Sequence, residues 1–189
     1  MKNLILITLL TLILSTFSIS LYAKNPRVLM KTNKGDITIE LFAKKAPKSV
    51  ANFLKYVEQK FYNGLIFHRV IDNFMIQGGG FSADMTQKKT NAPIINEATN
   101  MLKNTNGTLA MARTNVINSA TAQFFINVKD NDFLNHRDMS ARGFGYAVFG
   151  KVVKGMSVVK AIKKVKTHNN GRFQNLPVSN VIIKEMKKL

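Results

Sequence analysis

Between Asp36 and Leu41 the residues Ile37, Ile39 and Leu41 alternate with Asp36, Thr38 and Glu40. That period of two marks a strand with one buried face. Arg27 to Thr32 reads as a partner strand, and Asn33-Lys34-Gly35 as the hairpin turn between them. Pro47 then opens a helix, the first position being the one that tolerates proline. Val50, Phe53, Leu54 and Val57 form its apolar stripe, while Lys48, Lys55, Glu58 and Gln59 face water. Phe67 to Gly80 reads as two short strands around an Asp72-Asn73 turn. Residues 82–106 are polar and loop-like. Strands follow at 107–113 and 122–128, then a loop at 129–143 and a strand at 144–153. A second helix runs from about Met156 to Lys164, with Val158, Val159 and Ile162 toward the core. A last strand, Val181 to Met186, pairs with the first. Many short strands with two helices predict a mainly β fold, a closed antiparallel barrel capped by two α-helices.

The first residues follow another pattern. Lys2 precedes an apolar run from Leu4 to Leu14 broken only by Thr8 and Thr11, and residues 3–23 carry no charge. This is the layout of a secretory signal peptide, with cleavage expected after Ala23 and Ser20 as a second candidate. An uncleaved anchor is the alternative, since the uncharged stretch is long enough to span a bilayer. The expected division is therefore 1–23 as leader and 24–189 as one domain. An exported, periplasmic protein with no stable membrane association follows if the leader is removed. The chain has no cysteine, which excludes disulfides, thiolate metal sites and a lipid-bearing cysteine. Lys plus Arg number 28 against 10 Asp plus Glu, a formal +18. The basic residues are dispersed, in pairs such as Lys44-Lys45 and Lys163-Lys164, with no nucleic-acid motif beside them. A solvated basic surface is the reading adopted, and no nucleic-acid partner is expected.

Chemistry concentrates in Phe67 to Gly80, FHRVIDNFMIQGGG. Arginine is rarely buried without a partner, yet Arg69 stands in a strand among large apolar residues. Gln77 does the same in the next strand. The three glycines permit close approach of a backbone or ligand. Together they read as an apolar pocket holding one fixed cation. The stretch resembles the signature of the cyclophilin peptidyl-prolyl cis-trans isomerases. Three more blocks match in that family's order: Gly107 to Arg113, Ser119 to Asn127, and Phe144 to Val152. The resemblance runs from about Arg27 to the C-terminus and is nearest the bacterial members. It implies an eight-stranded barrel with two flanking helices, an isomerase activity on X-Pro bonds, and no cofactor.

Rotation about such a bond faces a barrier of about 18–20 kcal/mol. Four decades of acceleration require about 5–6 kcal/mol. No bond breaks, so no nucleophile or metal is needed; an apolar grip on proline and one donor to the twisted amide suffice. The resemblance assigns catalysis to Arg69, Phe74 and Gln77, with Arg69 as donor to the prolyl nitrogen and Gln77 as the group orienting it. It assigns substrate contact to Met75, Ala112, Arg113, Gln123, Phe125, Phe133, Leu134 and Tyr146. Read without the family, Arg69 could equally be paired to a carboxylate, and the apolar residues could be plain core. Phe133 stands where many eukaryotic members have Trp, which bears on cyclosporin-type inhibitors. Arg113 replaces a common Asn, and Tyr146 a common His.

His68 is expected on the opposite face from Arg69 by alternation, as a satisfied structural histidine. His136 and His168 are isolated. No metal-ligand cluster is visible, and Gly78-Gly79-Gly80 does not fit a phosphate loop. The expected partners are proline-containing unfolded or flexible polypeptides, bound by a monomer. Two other functions compete. One is a chaperone that uses the same groove without turnover, for which Arg69 would be unnecessary. The other is a basic surface for nucleic acid or anionic lipid, which salt would abolish.

Overall fold

The computed structural model describes residues 24–189; the expected leader lies outside them. The strands are β1 (Arg27–Thr32), β2 (Gly35–Leu41), β3 (Leu65–Ile71), β4 (Met75–Ser82), β5 (Thr108–Met111), β6 (Phe124–Asn127), β7 (Val148–Lys154), β8 (Thr167–Asn170), β9 (Phe173–Pro177) and β10 (Ile183–Lys188). The helices are α1 (Pro47–Glu58) and α2 (Met156–Lys163). Eight strands form one antiparallel sheet in the order β10-β1-β2-β7-β5-β6-β4-β3. Its two edges meet through an Ile66–Ile182 bridge and through Gly64 and Phe67 N–H groups donating to Ile183 and Val181 carbonyls. Register shifts in β1, β2, β3 and β5 supply the local bends that let so small a sheet curl closed. The last strand pairs with the first, as expected.

One large core fills the barrel. Phe53 of α1 meets the rings of Tyr62, Phe124 and Phe149 at 5.2, 5.5 and 5.2 Å. Val159 and Ile162 of α2 reach the same cluster. The helices differ from expectation in detail. Leu54 and Val158 are only half-buried, whereas Ser49, Asn52 and Tyr56 are buried. The N-terminus of α1 carries no local capping side chain. Glu97, from the long loop, accepts hydrogen bonds from the Lys48 and Ser49 N–H groups and the Ser49 hydroxyl at 2.9, 2.7 and 2.7 Å. A carboxylate there satisfies orphan amides and opposes the helix dipole.

The β8–β9 hairpin was not expected. Its first strand, Thr-His-Asn-Asn, is fully exposed and lacks any apolar period. Leu176 of β9 nonetheless buries against Ile66 and Phe81 on the outside of the barrel. No helix among the described residues is long and apolar enough to cross a membrane.

Candidate functional site

Strand alternation builds the site on the outer wall of the barrel. In β6, Phe124 and Ile126 join the interior while Phe125 joins a second, outer cluster. In β4, Ile76 points in and Met75 out; in β5, Leu109 and Met111 point in and Ala110 out. The outward residues Met75, Gln77, Ala112 and Phe125 line a cavity of about 200 Å³. Leu134 and Tyr146, carried by the loops that follow β6, close its side, with Phe74, Arg69 and Arg113 completing the lining. The Tyr146 ring packs edge-on to Phe125 at 5.7 Å.

Two residues expected to contact substrate do not line this cavity. Phe133 is 61% exposed and stacks on Phe74 at 5.5 Å, outside the cavity. Gln123 lines a neighbouring cleft instead and accepts a 2.9 Å hydrogen bond from Gln77 Nε2. Gln77 thus has Gln123 as its side-chain partner, although it stands directly across the strand pair from Arg69. Among the described residues no carboxylate lies within ion-pair distance of Arg69. The structural alternative for this arginine, a paired strand residue, is therefore not what the fold contains.

The Arg69 neighbourhood breaks simple alternation. Phe67 pairs with Gly78 and Arg69 with Gln77, so one extra residue, His68, is accommodated on β3. Phe67 and Val70 both enter the interior. The two residues between them turn outward, and His68 packs against Phe81 at 4.8 Å rather than on the opposite face. His68 is buried; its Nδ1 has no hydrogen-bond partner, while the Ile66 backbone and the Gln123 side chain interact with the ring by hydrogen bonding. Burial, with the Arg69 charge beside it, pushes its pKa down to about 4. The unfolded chain takes up this proton near pH 6.5 and the folded chain only near pH 4. Stability therefore falls as pH drops through that window, by on the order of 3 kcal/mol. His68→Gln is expected to flatten the slope between pH 6.5 and 4 in urea midpoints; an unchanged slope would assign it to other groups.

The glycine triplet serves the protein's own packing. Gly79 has φ +83°, and a Cβ there would meet Phe124 and Tyr62 at 3.0 Å. A Cβ on Gly80 would strike the Gln123 side chain at 2.7 Å. The space is taken by these side chains, not left for a ligand.

A support layer was invisible in the sequence. Asn104, Asn127, Asn131 and Asn135 are all buried. Asn131 Nδ2 donates to the Phe74 carbonyl and to Asn127 Oδ1 at 2.9 and 2.7 Å. Asn127 Nδ2 donates to Asn104 Oδ1, and Asn104 Nδ2 to the Leu134 carbonyl, both at 3.2 Å. This relay ties the turn carrying Phe74 to the loop carrying Leu134. On the other side of the turn, hydrogen bonds from Lys164 and Lys163 hold Asp72 and lower its pKa to about 2. Arg113 secures the far rim. Its Nε, Nη1 and Nη2 donate to the carbonyls of Gly145, Thr114 and Ala141 at 3.0, 2.9 and 2.8 Å. Its guanidinium lies 4.9 Å from the Tyr146 ring centroid. Among the described residues no group of three or more His, Cys, Asp or Glu is arranged to hold a metal.

Comparison with known proteins agrees with this geometry. The family model described as "Cyclophilin type peptidyl-prolyl cis-trans isomerase/CLD" matches residues 27–188. The chain is 52% identical to peptidyl-prolyl cis-trans isomerase A of Dickeya dadantii, over 98% of this chain and 97% of that one. It is 58% identical to peptidyl-prolyl cis-trans isomerase B of Escherichia coli, over 84% and 97%. Among solved structures, a Cryptosporidium parvum cyclophilin-type isomerase in the presence of the dipeptide Ala-Pro superposes with a TM-score of 0.70 at 28% identity, covering 85% of this chain and 96% of that one. With the barrel, the outer-wall cavity and its arginine in the same chain, the protein belongs to the cyclophilin-type peptidyl-prolyl cis-trans isomerase family.

Proposed function

We propose that the protein accelerates rotation about X-Pro bonds by gripping the proline ring in the outer-wall cavity while Arg69 donates a hydrogen bond to the prolyl nitrogen. One observation carries this reading: an arginine without a carboxylate partner lines a cavity whose apolar walls, Phe125, Met75 and Leu134, stand beside the polar Gln77 and Arg113. As the amide twists, resonance is lost and its nitrogen regains a lone pair. A guanidinium N–H answers that charge in the transition state and has no equivalent acceptor in the planar ground state. In a site partly shielded from water such a donor is worth about 2.7–4 kcal/mol. Gln77, pinned to Gln123, stands across from Arg69 and presents an amide to the substrate backbone. Phe74 walls the proline site from the turn.

The apolar leader supports a periplasmic location, with exported polypeptides as the clients and the protein acting as a monomer. The chain needs no cofactor in this mechanism. The purified protein should speed cis-to-trans conversion of an Ala-Pro peptide, with and without EDTA alike. Binding of the peptide without acceleration would point to a chaperone, and metal-restorable loss in EDTA to a different chemistry.

A further inference from the structure

Gln77, Ala112 and Arg113 of the proline cavity also line a second cleft of about 190 Å³, together with Gln87, Thr114, Ser119, Thr121 and Gln123. The charged side chains lining the two spaces are Arg69 and Arg113; no Asp or Glu lines either. The acidic residues on flanking segments line neither space, and of them only Asp72 is held in ion pairs. Asp72 holds Lys163 and Lys164, Asp84 binds Ser82 and Thr86, Glu97 caps α1, and Asp138 binds Ser140. The partners of Arg113 are neutral carbonyls and a ring face, which fix the guanidinium in place and leave its formal charge uncancelled. The chain as a whole carries +18, so no distant excess of negative charge offsets this local field.

Resting on the isomerase reading above, we propose that the protein selects X-Pro segments bearing an acidic side chain next to the proline, and that Arg113 is the residue that reads it. Arg113 belongs to both cavities, at their junction. Arg69 is committed to the prolyl nitrogen, so Arg113 is the cation available to a flanking carboxylate. A lysine in the same place meets two like charges; the Gln, Thr and Ser lining offers it hydrogen bonds but no opposite charge.

The test is a set of X-Pro peptides with Glu or Lys placed in turn at the two positions on either side of the proline, beside a neutral Ala-Pro reference. At low salt the Glu peptide should exceed the Lys peptide in kcat/KM by about tenfold at one or more positions. The ratio should approach one in 1 M salt, where the screening length is about 3 Å. Arg113→Gln should collapse the ratio, whereas Arg113→Lys, which keeps the charge and loses the carbonyl contacts, should retain its direction. Because each ratio is taken within one protein sample, a partly unfolded variant does not distort it. Turnover of Ala-Pro with Glu and Lys peptides within twofold at low salt would overturn the selectivity. A full ratio surviving in Arg113→Gln would remove Arg113 as its reader. Failure to turn over Ala-Pro at all would instead count against the isomerase reading.

Discussion

Arg69→Ala is expected to lose about two to three decades of turnover while its affinity for a proline peptide changes little. The size follows from removing one preorganised donor, about 2.7–4 kcal/mol of transition-state stabilisation. The split follows from timing, because an interaction made only with the twisted amide lowers kcat and leaves ground-state binding intact. Fold stability should hardly move. Arg69 is half-exposed and takes part in no ion pair among the described residues, so no buried partner is stranded when it goes. Turnover and peptide affinity measured on wild type, Arg69→Ala and Arg69→Lys decide the matter. Survival of activity within a factor of three in the alanine variant would remove Arg69 from the mechanism.

Phe53→Ala and Phe74→Ala are expected to fail in opposite ways. Phe53 is fully buried where three other rings converge. Its truncation leaves a cavity that cannot collapse and costs about 3–5 kcal/mol, a large share of the 5–15 kcal/mol or so that holds a domain together. Phe74 borders an open space, is only partly buried where it packs on the Met75, Phe125 and Leu134 cluster, and stacks on the exposed Phe133. Its loss should cost under about 2 kcal/mol of stability while activity falls steeply. Denaturation midpoints and rates normalised to folded protein, taken on both variants, separate core from wall. A severe stability loss for Phe74→Ala, with activity tracking the folded fraction, would mean the pocket has been misplaced.

The apolar periods made the barrel strands readable, and with them which residues could face outward. Phe125 against Phe124, and Gln77 against Ile76, follow from the period of two once the strands are known. His68 did not, because a bulge is a property of the pairing and depends on which residue of β4 stands opposite. The asparagine relay and the Glu97 cap were hidden for a similar reason. Their partners lie far along the chain, as with Asn131 and the Phe74 carbonyl or Glu97 and Ser49, and polar residues in a loop look alike until the loop is folded. The exposed β8 strand carries no apolar signal at all. The resemblance gave Phe133 and Leu134 the same role; the turn at 132–134 buries one and exposes the other.

The filled interior has one more consequence. Since aromatic and aliphatic side chains occupy the inside of the barrel, a polypeptide in the proposed site lies across the outer wall and does not pass through a lumen. Such a chain needs no free end and can run on in both directions past the cavity. A prolyl bond in the middle of a long loop, between segments that have already folded, is then as accessible as one in a short peptide. What limits access is whether about a few residues around the proline can be drawn out in extended form, not the length of the client or the order in which its parts emerge.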